Sequence, residues 1–142
     1  MNVSHILTRP MVTISADKSI FEAAKLMVKN NIGLLVVTAT DRNTELAGVI
    51  SERDIIRVIA SGRRLEIPIN GVCTKNVVTV VADADVAEAA KAMNKHGIRH
   101  VVVVDHATKP VGVVSMRDLV GERSTLTAIL QSNEKEIFHG AD

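Results

Sequence analysis

Two short stretches of this chain carry the same reactive side chains in the same order: Ser51-Glu52-Arg53-Asp54 and Ser115-Met116-Arg117-Asp118. Each follows a glycine and two β-branched residues, Gly48-Val49-Ile50 or Gly112-Val113-Val114, and each is followed by an apolar pair, Ile55-Ile56 or Leu119-Val120. That is the pattern of a strand running into S-x-R-D and then into a helix. A carboxylate at such a place can accept both cis-hydroxyls of a sugar. The start of a helix offers free N–H groups and a positive dipole end to phosphate oxygens. Ser-x-x-Asp is equally the spacing of a capping box, which closes a helix start with no ligand at all. Arg99-His100 weighs against the purely structural reading. The pair sits at an adjoining strand start in one copy only, where a cap alone would leave the copies symmetric.

Other reactive residues carry less. His96 and His100 are four apart but straddle Gly97, so they share no helical face, and neither Cys nor carboxylate accompanies them at ligand spacing; no metal site is expected. Cys73, the single cysteine, falls on the repeat position of Leu7 and reads as a small buried residue; alone it forms no internal disulfide. Arg63-Arg64 reads as a solvated turn. The chain has no P-loop, G-x-G-x-x-G, nucleophile elbow or H-E-x-x-H. Asp54 and Asp118 are expected to face separate clefts rather than to pair as acid and base, so no enzyme activity is expected.

The elements that hold these residues come as an internal repeat. A shift of 66 pairs Thr8 with Thr74, Thr13 with Thr79, Glu22-Ala23-Ala24-Lys25 with Glu88-Ala89-Ala90-Lys91, and Val36-Val37 with Val102-Val103. A loop two residues shorter in the second copy changes the shift to 64 and brings the S-x-R-D stretches into register. One copy reads strand, helix, strand, strand, helix. Residues 11 to 15 and 77 to 81 are short β-branched strands. Ser19 with Glu22, and Asp85 with Glu88, have capping-box spacing, and Ile20, Ala23, Ala24 and Met27 then form one apolar helical face, as do Val86, Ala89, Ala90 and Met93. The remaining strands are Leu34 to Thr38 with 46 to 51, and Val101 to Val104 with 111 to 115. The second helices begin at S-x-R-D. A last helix from about Ser124 to Asn133 is expected to carry Leu126, Ile129 and Leu130 on one face, ahead of a polar tail. The domain boundaries follow: residues 1–62 first repeat, 63–71 linker, 72–123 second repeat, 124–142 helix and tail. A repeat of about 60 residues buries too little surface alone. The copies are therefore expected to pack sheet to sheet around a shared core, with a cleft on either side of the joint, where small ligands tend to bind.

Composition narrows the class. With 46% apolar residues but only Phe21 and Phe138 aromatic, the core must be aliphatic. A formal charge of +1 gives no overall field toward nucleic acid or an anionic membrane. The N-terminus lacks the basic and apolar regions of a signal peptide, and no apolar run nears the roughly 20 residues of a membrane span. A soluble, cytoplasmic module is expected, with no nucleic-acid or membrane partner.

Two β-α-β-β-α copies, with V-V-T-V at the start, G-I-R-H-V-V-V-V-D at the second strand and G-V-V-S-x-R-D at the end, resemble a tandem pair of cystathionine β-synthase (CBS) domains. This pair is the Bateman module; the resemblance covers roughly residues 6 to 121, and a stand-alone pair is expected. The resemblance implies an α/β fold of two repeats packed sheet to sheet with pseudo-twofold symmetry, usually as a homodimer. It implies clefts for adenosyl ligands: AMP, ADP, ATP, S-adenosylmethionine or NAD(H). Carried onto this chain, the ribose-binding acid falls on Asp118 and Asp54, the hydroxyl three before it on Ser115 and Ser51, and the first-strand threonine on Thr13 and Thr79. Because the first strand of one repeat often faces the acid of the other, the resemblance groups Thr13 with Asp118 and Thr79 with Asp54. The phosphate-binding residues fall on Arg99 and His100. Gly33 and Leu34 stand there in the first copy, so the cleft with Asp54 is expected to be the weaker. Arg53 and Arg117 complete the two stretches. With no Tyr or Trp, the adenine slot must be aliphatic, and Val12, Val78 and Ile98 are its candidates. The implied function is a regulatory adenine-nucleotide sensor. The alternative is a dimeric scaffold acting on a partner enzyme or transporter without a ligand of its own.

Overall fold

Parallel pairing across a helix and antiparallel pairing across a hairpin are repeated in two three-stranded sheets, ordered β1-β2-β3 and β4-β5-β6, in the computed structural model. It describes residues 1–7, 9–42, 44–121, 127 and 129–131. The first copy comprises β1 (Thr13–Ser15), α1 (Ile20–Asn30), β2 (Leu34–Thr38), β3 (Leu46–Ser51) and α2 (Glu52–Ala60). The second comprises β4 (Thr79–Val81), α3 (Val86–His96), β5 (His100–Val104), β6 (Pro110–Ser115) and α4 (Met116–Gly121). Single 3-10 turns lie at Val3–Ile6 and Ile69–Gly71. The fold is mixed α/β, as the repeat implied, and the strands β1 and β4 are shorter than the β-branched runs that contain them.

Local chemistry explains the element ends. Ser19 and Glu22 form the expected capping box: Glu22 N–H donates to Ser19 Oγ at 3.1 Å, and Ser19 N–H to Glu22 Oε2 at 2.9 Å. At α3 the cap is made differently, for the Asp85 carboxylate accepts from Ala87 N–H at 2.9 Å. A short aspartate reaches the second amide of the turn without help from Glu88. Both helices end on a left-handed residue, Asn31 and Gly97 (φ 53° and 63°), which turns the chain into the next strand.

The compact units divide the chain differently from the copies. One is Met11–Val77; the other joins Met1–Pro10 to Val78–Asp142. Backbone pairing is the reason. Val3 N–H donates to Ala84 O at 2.8 Å and Ser4 N–H to Ala82 O at 3.0 Å, so the stretch ahead of β1 is stitched into the second copy. In the other unit Ile20 N–H donates to Ile67 O at 3.1 Å and Ile69 N–H to Lys18 O at 2.8 Å. Residues 63–71, read as a linker, are thus built into the first sheet's unit.

Buried side chains form a cluster within each unit. Ile20, Leu35, Ile50 and Ile69 are fully buried in one; Val3, Leu119 and Ile129 are fully buried and Met93 nearly so in the other. Each such aliphatic side chain contributes about 1.5–3 kcal/mol. The lead-in residues Val3 and Ile69 therefore supply apolar surface that a bare repeat lacks. Most of the expected helix from Ser124 to Asn133, including Leu126, and the tail beyond it lie outside the described residues. Of its expected apolar face, Ile129 is buried and Leu130 is exposed.

Candidate functional site

Hairpin register assembles the second S-x-R-D site. β5 and β6 pair antiparallel with His100 opposite Ser115, and Met116 N–H donates to Arg99 O at 2.7 Å. The basic pair at the start of one strand is thereby set beside the end of the other, where α4 begins. Arg99 and Arg117 are exposed; His100, Ser115 and Asp118 are half-buried.

The Asp118 carboxylate uses its two oxygens differently. Oδ2 accepts from Ser115 N–H at 2.9 Å while Ser115 Oγ accepts from Asp118 N–H at 3.0 Å, so the capping box is complete. Oδ1 instead receives Nη2 of Arg9 at 3.0 Å. The Asp118 side chain remains 25% exposed. The serine and the carboxylate amide serve each other, which leaves Oδ1 as the oxygen a ligand would use. Arg9 is the residue that sequence reasoning missed. It lies 109 positions away, in no motif, and its only trace was the basic residue Lys75 at the matching place before the second copy.

The first stretch has the same frame but another lining. Leu34 lies opposite Ser51, and Glu52 N–H donates to Gly33 O at 3.0 Å. Asp54 Oδ2 accepts from Ser51 N–H at 2.9 Å and from Ser51 Oγ at 3.0 Å, and Asp54 N–H donates to Ser51 Oγ at 3.2 Å. Only 9% of Asp54 is exposed, and its other oxygen faces Arg57 of its own helix at 3.7 Å. Where the second copy has Arg99 and Met116, the first has Gly33 and Glu52, and the Glu52 carboxylate covers the glycine: a Cβ there would meet Oε1 at 2.9 Å. An acid lying over the place of a base disfavours phosphate. Arg53 is exposed.

Thr13 and Thr79 are both exposed on outer strands, β1 and β4. By unit, Thr79 goes with Arg99, His100, Ser115, Arg117 and Asp118, and Thr13 with Ser51, Arg53 and Asp54. The adenine-slot candidates are half-buried. Val78 and Ile98 pack against the cluster of one unit and Val12 against that of the other. A separate open groove of about 840 Å³ runs along α1 and β1, lined by Thr13, Phe21, Lys25 and Val28 among others, and takes in neither Ser51 nor Asp54. Among the described residues no three His, Cys, Asp or Glu side chains are placed to hold a metal ion, and no helix is long and apolar enough to cross a membrane. Cys73 is half-buried, and burial pushes its thiol above the ordinary range.

Known proteins with this arrangement are numerous. The chain superposes with a TM-score of 0.89 and 38% identity on a CBS domain protein of Pyrobaculum aerophilum complexed with AMP, over 93% of this chain and 100% of that one. A CBS domain pair in complex with 5'-methylthioadenosine and S-adenosyl-L-methionine superposes with a TM-score of 0.77 and 34% identity, over 85% of this chain and 94% of that one. A 17.7 kDa protein of Acidianus ambivalens is 38% identical over 117 residues, which is 82% of this chain and 70% of that protein. The CBS domain model matches residues 3–61 and again residues 69–124. The chain thus belongs to the CBS domain family, with two copies of the domain.

Proposed function

We propose that this chain is a regulatory, non-catalytic module that binds an adenosine phosphate at the second S-x-R-D stretch, with the ribose hydroxyls on Asp118 and the phosphate toward Arg99 and His100. The register that sets His100 opposite Ser115 carries this reading, since it groups two basic side chains with a half-exposed carboxylate. The complexes of similar proteins with AMP, and with 5'-methylthioadenosine and S-adenosyl-L-methionine, support the ligand class. Between the stretches, the Glu52 carboxylate over Gly33 supports giving Asp54 the weaker role. Ligand binding biases a conformational equilibrium by no more than its differential affinity for the two states.

The test is thermal unfolding of nucleotide-free protein with AMP, ADP, ATP, NADH or S-adenosylmethionine. A ligand at about a hundred times its Kd adds ~2.7 kcal/mol of stability, which is a clear shift in Tm. No shift with any of the five at millimolar concentration refutes the reading. Mass spectrometry of the small molecule that co-purifies identifies the physiological ligand.

The module acts as a homodimer. Phe21, Val28, Ile56 and Ile59 on α1 and α2 are large apolar side chains, each more than half exposed, on one unit. Apolar exposure of this kind marks an association surface. Light scattering at micromolar concentration reads the mass directly, and a monomer under those conditions rejects the assignment.

A further inference from the structure

The Arg9–Asp118 ion pair occupies the oxygen that a ribose needs. Asp118 Oδ2 is committed to the Ser115 amide, and Oδ1 holds Arg9 Nη2 at 3.0 Å. A vicinal diol cannot take Oδ1 in full while the guanidinium stays on it. Arg9 is free to move in the relevant sense: its side chain is 59% exposed, and its segment is anchored further back, where Val3 and Ser4 pair with Ala84 and Ala82 and Leu7 lies against Gly112.

The first copy lacks this device. Lys75 holds the position of Arg9 there, but Asp54 takes its cation from Arg57 within its own helix, at 3.7 Å. The shift of 64 places Gly121 where Arg57 stands, so α4 has no cation of its own at that position. An arginine from the lead-in segment replaces it only at the stretch with basic neighbours.

We infer that Arg9 is a specificity-determining residue that makes the site demand a phosphorylated adenosine: the ribose displaces it from Asp118, and the displaced guanidinium takes a phosphate oxygen of the same ligand. This rests on the adenosyl reading of the site. A nucleoside without phosphate must break the ion pair and receives nothing in exchange. A nucleotide exchanges one charge-assisted contact for another, and the planar fork of arginine suits a phosphate as well as a carboxylate.

The experiment is isothermal titration of adenosine and AMP into the full chain, wild type and Arg9→Gln, with Arg9→Lys and Asp118→Asn alongside. In R9Q adenosine binds up to about fivefold more tightly, because an exposed ion pair no longer opposes it. AMP binds more weakly, because a hydrogen bond to a charged group is lost. The ratio of the adenosine to the AMP Kd therefore falls by about tenfold or more, and R9K restores part of it through charge alone. Melting of each unliganded variant shows that the fold is kept. An unchanged ratio in R9Q, with binding still abolished by D118N, overturns the role of Arg9 while leaving the adenosyl site standing. Wild-type protein that takes up neither ligand, or binds both regardless of D118N, overturns the two together.

Discussion

Replacing the glycine that opens each strand-to-S-x-R-D turn separates two sites that look identical in sequence. Gly48 and Gly112 head the matching Gly-Val-Ile and Gly-Val-Val triplets, and neither has a positive φ, so alanine is not strained by the backbone angle at either. What differs is the lead-in segment above them. At Gly48 a Cβ would come within 2.6 Å of Thr74 O and 3.1 Å of Cys73 Sγ. That carbonyl is pinned, since Thr74 O accepts from Val49 N–H at 2.9 Å and Thr74 N–H donates to Val49 O at 2.8 Å. Making room opens the bridge. Two backbone hydrogen bonds of about 1 kcal/mol each are weakened, and overpacking adds about 1–3 kcal/mol. At Gly112 the Cβ would meet Leu7 Cδ2 at 2.7 Å, the far end of a side chain that can turn. Its cost is a poorer rotamer, about 0.5–1.5 kcal/mol, partly offset by the lower unfolded-state entropy of alanine. Gly48→Ala is thus expected to destabilise by about 2–4 kcal/mol and Gly112→Ala by less than about 1 kcal/mol. The chain has no Trp or Tyr, so the assay is urea unfolding followed by far-ultraviolet circular dichroism. With a slope of about 1–3 kcal/mol per molar urea, the two midpoints separate by roughly 1 M. Equal midpoints, or a larger loss at Gly112, refute the reasoning.

Other perturbations probe the caps, the thiol and the two acids. Asp118→Asn weakens AMP by about ten- to a hundredfold in calorimetry, while Asp54→Asn leaves it within about twofold; the reverse order refutes the assignment of the stronger site. The Glu22 carboxyl is held below its ordinary value of 4.5, chiefly by the Ser19 backbone N–H, so its contribution to stability is complete above that value and lost as pH falls through the lowered folded-state value. Glu22→Gln accordingly flattens the fall of Tm below about pH 4.5, and parallel curves for variant and wild type contradict the capping box. The raised thiol of Cys73 makes alkylation by iodoacetamide slow at pH 7 in folded protein and faster both in alkali and after unfolding; equal rates folded and unfolded deny its burial.

The duplication was legible because it is written in consecutive residues. A fixed shift paired the helices, and its change to 64 located the shortened loop between β5 and β6, so the S-x-R-D stretches and the strands of their hairpins followed directly, whereas the register that sets His100 opposite Ser115 came from the structure. Cap chemistry was legible where it depends on spacing, as at Ser19 and Glu22, and less so at Asp85, where the choice of Ala87 N–H turns on side-chain reach. Pairing between distant segments leaves no such trace. Val3 with Ala84 and Ile69 with Lys18 are backbone bonds that nearly any residues could make, so nothing in their side chains told which unit each lead-in segment would join. The same holds for the asymmetry of the two acids. Asp54 meets a cation at i+3 on its own helix, a spacing that can be read from the chain. Asp118 meets Arg9 only because residues 1–10 fold onto the second copy, and without that fact Arg9 is one more charged residue before a proline. The feature that distinguishes one site from the other therefore lies in the stretch ahead of β1, which belongs to the first copy by sequence and to the second copy's unit by contact, so a comparison of repeat with repeat pairs Arg9 with Lys75 without showing which acid it meets.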